Sequence, residues 1–200
     1  MKQISEMSDK ALLALLIGKR AASNLSEKPL HEIFGFKFGS VETVVREDIA
    51  GYRALSVICA AKELVTRCFL EKMVSGEALT SPEIVNKYLC SKIGYLEHEV
   101  LWCLWLDTQN RLIIAEQIFR GTLTQTSVYP REIVKRALYL NAGGVILAHN
   151  HPSGDVKPSS ADIHITQAIK SALILIDTKV IDHIIVSGIN HYSFAERGDL

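Results

Sequence analysis

The chain has 200 residues, 48% of them hydrophobic and 22% charged, the composition of a folded protein and not of a disordered one. Its 22 basic and 22 acidic residues cancel to a formal net charge of zero, which excludes a global electrostatic pull toward nucleic acid or an anionic membrane. The apolar runs Ala11 to Ile17 and Val100 to Leu106 are too short for the roughly 20 residues of a membrane span. Glu6 and Asp9 ahead of the first run, with no small-residue cleavage pattern behind it, argue against a secretory signal, so a soluble cytoplasmic protein is expected.

In chain order, Ser8 is placed to cap a first helix whose broad apolar face comprises Leu12, Leu13, Leu15, Leu16 and Ile17, stopped by Gly18. Between Arg53 and Phe69 the residues Ala54, Val57, Ile58, Ala61, Leu64, Val65 and Cys68 recur at helical spacing, as in a core-facing amphipathic helix. Val74 to Thr80, with Ser75 and Gly76, breaks the period and reads as a linker. Ser81 as N-cap, Pro82 at the first helical position and Glu83 in the first turn restart a helix. Val100 to Leu106 and Leu112 to Phe119 read as strands joined by a turn at Asp107 to Arg111. Pro130 opens a helix with Ile133, Val134, Ala137, Leu138 and Leu140 on its apolar face, up to Gly143 and Gly144. Val145 to Ala148 reads as a buried strand, Ser159 or Ser160 begins another helix, and Val180 to Val186 is the last strand. This alternation is that of an α/β domain. The cysteines Cys59, Cys68, Cys90 and Cys103 are scattered singly, mostly in apolar stretches, and are expected to be reduced core residues.

The stretch that carries chemistry is His149-Asn150-His151-Pro152-Ser153-Gly154, followed by Ser159 and Asp162. If the strand continues to His151, histidines at i and i+2 point to the same face and present two imidazoles to one ion. Pro152 and Gly154 then turn the chain, and Asp162 returns from the next helix as a third ligand. Two neutral imidazoles and one carboxylate leave Zn²⁺ with net positive charge and an open position for water, the arrangement of a catalytic site. A lone histidine is more often structural, and Ser159-x-x-Asp162 by itself reads as a helix-capping box. An HxH at a strand end, a Pro/Gly turn and an SxxD at a helix start in one short window favour metal binding, and capping is compatible with it.

His149-x-His151, seven residues, Ser159, two residues and Asp162 resemble the JAMM motif of the MPN or JAB domain superfamily. HNHPSG, the preceding VYPREIVKRAL, Gly121-Thr122 and Asp182-His183-Ile184-Ile185-Val186 more narrowly resemble the RadC family, over residues 81 to 198. The resemblance implies a cytidine-deaminase-like α/β fold and a zinc-dependent metallohydrolase of peptide or isopeptide bonds. His149, His151 and Asp162 would bind Zn²⁺, and Ser159 would help hold the water or oxyanion. The superfamily's general base is a glutamate ahead of the first core strand; Glu99 fits best, with Glu97, Glu116 and Glu132 as competitors. His183 is expected to have a structural hydrogen-bonding role outside the site. His31, His98, His164 and His191 lack partners at ligand spacing.

The letters His149-Asn150-His151 also spell the HNH nucleases, whose residues are dispersed over a ββα unit and not contiguous. A zinc deaminase is a poor match because H-x-E followed by P-C-x-x-C is missing. The chief alternative is a DNA-associated, repair-linked or scaffold protein with little turnover. Ser8 to Ala14 resembles the start of the helical region preceding the RadC domain, where a helix-hairpin-helix is usual. Ile49 to Ala54 stands where that hairpin would show a G-x-G turn, and carries one glycine. The expected organisation is a helical, degenerate helix-hairpin-helix-like domain at 1–72, a linker at 73–80 and a JAB/MPN domain at 81–200, with at most weak DNA binding and no membrane partner. Neither the substrate nor the oligomeric state follows from the motif.

Overall fold

The computed structural model describes residues 4, 7–28, 30, 33, 49–74, 81–121 and 128–200. The linker residues 75–80, His31, Arg46 and Thr122 lie outside the described residues. The chain divides into two compact units, Met1–Arg67 and Cys68–Leu200. Among the described residues no helix is long and apolar enough to cross a membrane.

In the first unit, Ser8 caps α1 (Asp9–Ile17) by accepting a hydrogen bond from Ala11 N. Gly18, at φ 84°, ends α1 and leads directly into α2 (Lys19–Leu25). The positive φ is one that glycine takes without the Cβ penalty of other residues. Leu13, Ala22, Leu25, Ile33, Ala54 and Ile58 bury together as the core of this unit. α3 spans Ile49–Lys72 and so starts four residues before the expected helix. Ile49 to Ala54, aligned with a hairpin turn in the sequence, is helical. One interior glycine costs only about 1 kcal/mol, which a 24-residue helix rich in alanine absorbs.

The second unit is a three-layer α/β domain around a five-stranded sheet of order β2-β1-β3-β4-β5. Its elements are α4 (Pro82–Ile93), β1 (Val100–Leu106), β2 (Leu112–Arg120), α5 (Pro130–Leu140), β3 (Gly144–Asn150), α6 (Ser160–Ile174), β4 (Lys179–Ser187), β5 (Asn190–Ser193) and α7 (Phe194–Arg197). β1 runs antiparallel to β2 and β3, β3 parallel to β4, and β5 antiparallel to β4. The α6 crossover makes the parallel pair possible. Because side chains alternate across a strand, Val100, Leu104, Leu106, Ile146 and Ala148 face α4, where Val85, Leu89 and Ile93 cover them. Leu101, Cys103, Trp105, Val145 and Leu147 face α5 and α6, against Ile133, Ala137, Ile169 and Leu173. Both faces of β1 and β3 are therefore apolar, which is why these strands read as continuous hydrophobic runs.

Three details depart from the expected elements. α5 ends at Asn141, at φ 51°, before the glycines at 143 and 144, since asparagine tolerates the left-handed C-cap. After Val186 the chain adds β5 and α7, turning at Gly188, whose carbonyl sits so close to Gly94 that a Cβ there would come within 2.3 Å of it. Of the four free cysteines only Cys90 and Cys103 are buried; Cys59 is half-buried and Cys68 exposed, as are Leu64 and Val65 of the stripe expected to face the core.

Candidate metal centre

β3 is the central strand, and His149 lies near its carboxyl end, paired in register with Leu101 on one side and Ile185 on the other. The hydrogen bond from His151 N to Val186 O, 2.9 Å, carries the ladder one residue past the end of β3. His149 and His151 therefore project to the same face, that of α5 and α6. His149 is fully buried and His151 partly exposed, so the group opens on the His151 side.

Ser159 caps α6 with a reciprocal capping box. Its Oγ accepts from Asp162 N at 3.2 Å, while its N and Oγ donate to Asp162 Oδ2 at 2.7 and 2.6 Å. The capping role and the ligand role coexist because a carboxylate has two oxygens and about four acceptor directions. Asp162 Oδ1 lies 3.1 Å from His149 Nε2, Asp162 Oδ2 3.4 Å from His151 Nε2, and the two Nε2 atoms are 3.0 Å apart. One ligand atom from each of the three residues can be chosen so that all lie within 4.8 Å of one another. Tetrahedral zinc with bonds of about 2.0–2.1 Å spaces its donors by roughly 3.3 Å, so this donor set fits such an ion. His151 Nδ1 donates to the Asp155 carbonyl at 2.7 Å, which leaves the Nε2 lone pair of the neutral ring turned toward the group.

The electrostatics favour a cation. Burial pushes His149 below its usual pKa, against the opposing influence of Asp162 and Glu99, and keeps that imidazole neutral. The Asp162 carboxylate beside it pushes His151 up, against desolvation. Burial opposes ionisation of Asp162, yet the adjoining imidazoles of His149 and His151 and the Ser159 hydroxyl outweigh that and hold its carboxyl well below the usual range.

The four glutamates separate. Glu99 immediately precedes β1, and continuing the β1–β3 register past Leu101–His149 sets it opposite His151. Its charge acts on both imidazoles. Glu97 is exposed. Glu132 is exposed on α5 and paired with Lys135 at 3.0 Å. Glu116 is taken by Arg136, at 2.6 and 2.8 Å, and by Trp105 Nε1 at 2.9 Å.

His183 has the hydrogen-bonding role expected of it but lies in direct contact with the group, and Thr166, to which no sequence motif points, stands behind it. His183 Nε2 lies 2.8 Å from His149 Nδ1, and His183 Nδ1 lies 2.5 Å from Thr166 Oγ1. The register between β3 and β4 skips Ile181, and this bulge puts His183 on the same face as Val180 despite its odd offset. Strict alternation would have turned it away, so only the Asp182-His183 dipeptide could have hinted at it. Asn150, within the same run as the two histidines, also went without a role in the sequence reading: it faces the α4 side, accepts from Val100 N at 2.9 Å, and donates to the carbonyls of Leu96 and His98 at 3.1 and 3.0 Å. It thereby ties the segment carrying Glu99 to β3. Of the histidines read as unpartnered, His164 is exposed and His191 Nε2 meets Asn86 Nδ2 at 3.0 Å.

A mixed sheet between helical layers, with a candidate metal triad at the carboxyl end of its central strand, defines an α/β domain of the JAB class. Residues 79–199 match the RadC-like JAB domain, and the chain belongs to that family. It is 44% identical to a UPF0758 protein of Janthinobacterium sp. (strain Marseille), over 97% of this chain and 90% of the relative. It is 48% identical to one from Thiobacillus denitrificans over 82% and 77%, and 40% identical to one from Nitrosomonas eutropha over 98% and 91%.

Proposed function

We propose that this chain is a zinc-dependent hydrolase of peptide or isopeptide bonds, with His149, His151 and Asp162 as the metal ligands. The observation that carries this reading is the convergence of two imidazole Nε2 atoms and a buried carboxylate, 3.0 to 3.4 Å apart, at the open end of a strand. Acceptor atoms packed so closely in a low-dielectric site repel one another unless a cation lies between them. Zinc held there by His149, His151 and Asp162 would supply Lewis acidity, to polarise a carbonyl and to acidify the attacking water.

The chain's own residues do the rest. Glu99, opposite His151, takes a proton at its carboxylate from the attacking water and returns it to the leaving amine. Ser159 orients the Asp162 carboxylate by donating its hydroxyl proton to it, and the oxygen of this exposed residue keeps a lone pair with which it steadies the attacking water; to serve an oxyanion instead, it has to release Asp162. Full burial of His149 keeps its ring neutral and fixed, so the site needs little reorganisation when a substrate arrives.

Metal analysis of the purified protein beside a His149→Ala, His151→Ala double variant tests the ligand set: about one zinc per chain is expected in the first and none in the second. Equal metal in both proteins overturns it. Glu99→Gln is expected to keep the ion and to lose hydrolysis of peptide and isopeptide reporters. Survival of activity there, with loss in Glu97→Gln, moves the base to Glu97. A wild-type protein that holds zinc and cleaves none of the reporters supports a DNA-associated or scaffold protein with little turnover.

A further inference from the structure

Behind His149 the candidate metal centre continues into a line of hydrogen bonds whose proton positions are dictated from its far end. Thr166 Oγ1 lies 2.5 Å from the main-chain carbonyl of Asp162, and a carbonyl only accepts, so the single hydroxyl proton is donated there. The same oxygen lies 2.5 Å from His183 Nδ1. With its proton committed it accepts, so Nδ1 is the protonated nitrogen of His183. An imidazole protonated at Nδ1 alone carries a lone pair at Nε2. That lone pair faces His149 Nδ1 at 2.8 Å, which therefore carries the proton. His149 in turn has a bare Nε2, directed at His151 and Asp162.

We infer that His183 and Thr166 are positioning residues that hold His149 in the Nδ1–H tautomer and thereby set the affinity of the centre for its metal ion. A neutral imidazole left to itself takes either tautomer, and the one protonated at Nε2 offers no lone pair to a cation in this group. The surroundings keep the line rigid. The His183 ring stacks on the fully buried Phe194, with centroids 5.0 Å apart and planes 16° from parallel. Phe194 is held by β5 and α7, which Asp182 ties down by accepting from Ser193 Oγ at 2.6 Å and Ala195 N at 2.9 Å. Thr166 stands one turn beyond Asp162 on α6, so the helix that presents the third ligand also terminates the line. A merely space-filling role would be met by apolar side chains without the cost of burying an imidazole and a hydroxyl.

The inference rests on the reading of His149 as a metal ligand, and two measurements separate the two. The first is ¹⁵N NMR of histidine-labelled, metal-free protein, which reports the tautomer of His149 directly. The second is zinc affinity by competition with a chromophoric chelator. His183→Leu and the near-isosteric Thr166→Val are expected to populate Nε2–H at His149 and to weaken zinc binding by about 10- to 100-fold. His183→Gln, whose amide oxygen can accept from His149 while its nitrogen donates to Thr166, is expected to restore most of the affinity and the Nδ1–H signal. Unchanged tautomer and affinity in Thr166→Val overturn the inference even if His183→Leu does not fold, and so does equal loss in the Gln and Leu variants. Absence of zinc binding by the wild-type protein would instead strike the metal reading, and the tautomer spectra would still decide the role of His183 and Thr166.

Discussion

Asn150 sits fully buried between two candidate ligand histidines yet faces away from them, and its three hydrogen bonds go to backbone groups on either side of Glu99. Asn150→Ala leaves Val100 N and two carbonyls without that partner. It is expected to cost about 2–3 kcal/mol in a melting experiment. The displaced glutamate should lower hydrolysis by roughly 10- to 100-fold while zinc content stays at the wild-type level. Ser159 tests the other side of the group. Ser159→Ala removes a helix cap worth about 1 kcal/mol. It also removes a 2.6 Å bond to Asp162 Oδ2, so chelator competition should show zinc affinity lowered by about tenfold or more. A lower melting point with unchanged affinity would reduce Ser159 to a cap.

Between elements, Glu116 on β2, Arg136 on α5 and Trp105 on β1 form a clamp that holds α5 to the sheet edge. The hydrogen bonds from Arg136 hold the Glu116 carboxyl below its usual pKa, against partial burial. A depressed carboxylate pKa stabilises the fold above the unfolded-state value near 4.5 and loses that contribution as pH falls through the lowered pKa. Glu116→Gln is therefore expected to destabilise the protein at pH 7 by about 1 kcal/mol, the solvent-facing side of the pair being screened. The gap between variant and wild type should close as denaturation is repeated below that value. Hydrolysis should be unaffected; its loss would return Glu116 to the list of general bases.

For the whole molecule, zero net charge removes the long-range attraction behind most non-specific DNA binding, leaving local basic residues such as Lys19, Arg20, Arg46 and Arg53. Binding of the full chain to duplex DNA is expected to be weak, without sequence preference, and shallow in its dependence on salt, at roughly 0.9 in log–log slope per phosphate contact. A Lys19→Ala, Arg20→Ala, Arg53→Ala variant should flatten the slope further. Tight binding at physiological salt, or a slope untouched in that variant, would favour a DNA-associated role over the peptidase.

What the sequence determined by itself was local in origin. Continuous apolar runs placed β1 and β3, and a serine start signal placed α6. Ser159-x-x-Asp162 announced a capping box, and His149-x-His151 put two imidazoles on one face, because each of these depends on spacing within a single element. The tertiary structure alone decided the partners that come from elsewhere in the chain. Register across β1 and β3 brought Glu99 opposite His151, and the packing of α5 on β2 consigned Glu116 to Arg136. A one-residue bulge in β4 turned His183 behind His149, where alternation would have sent it to the other face. Pairing register and bulges are settled by the packing of whole sheet faces against helices, so no window of the sequence contains them.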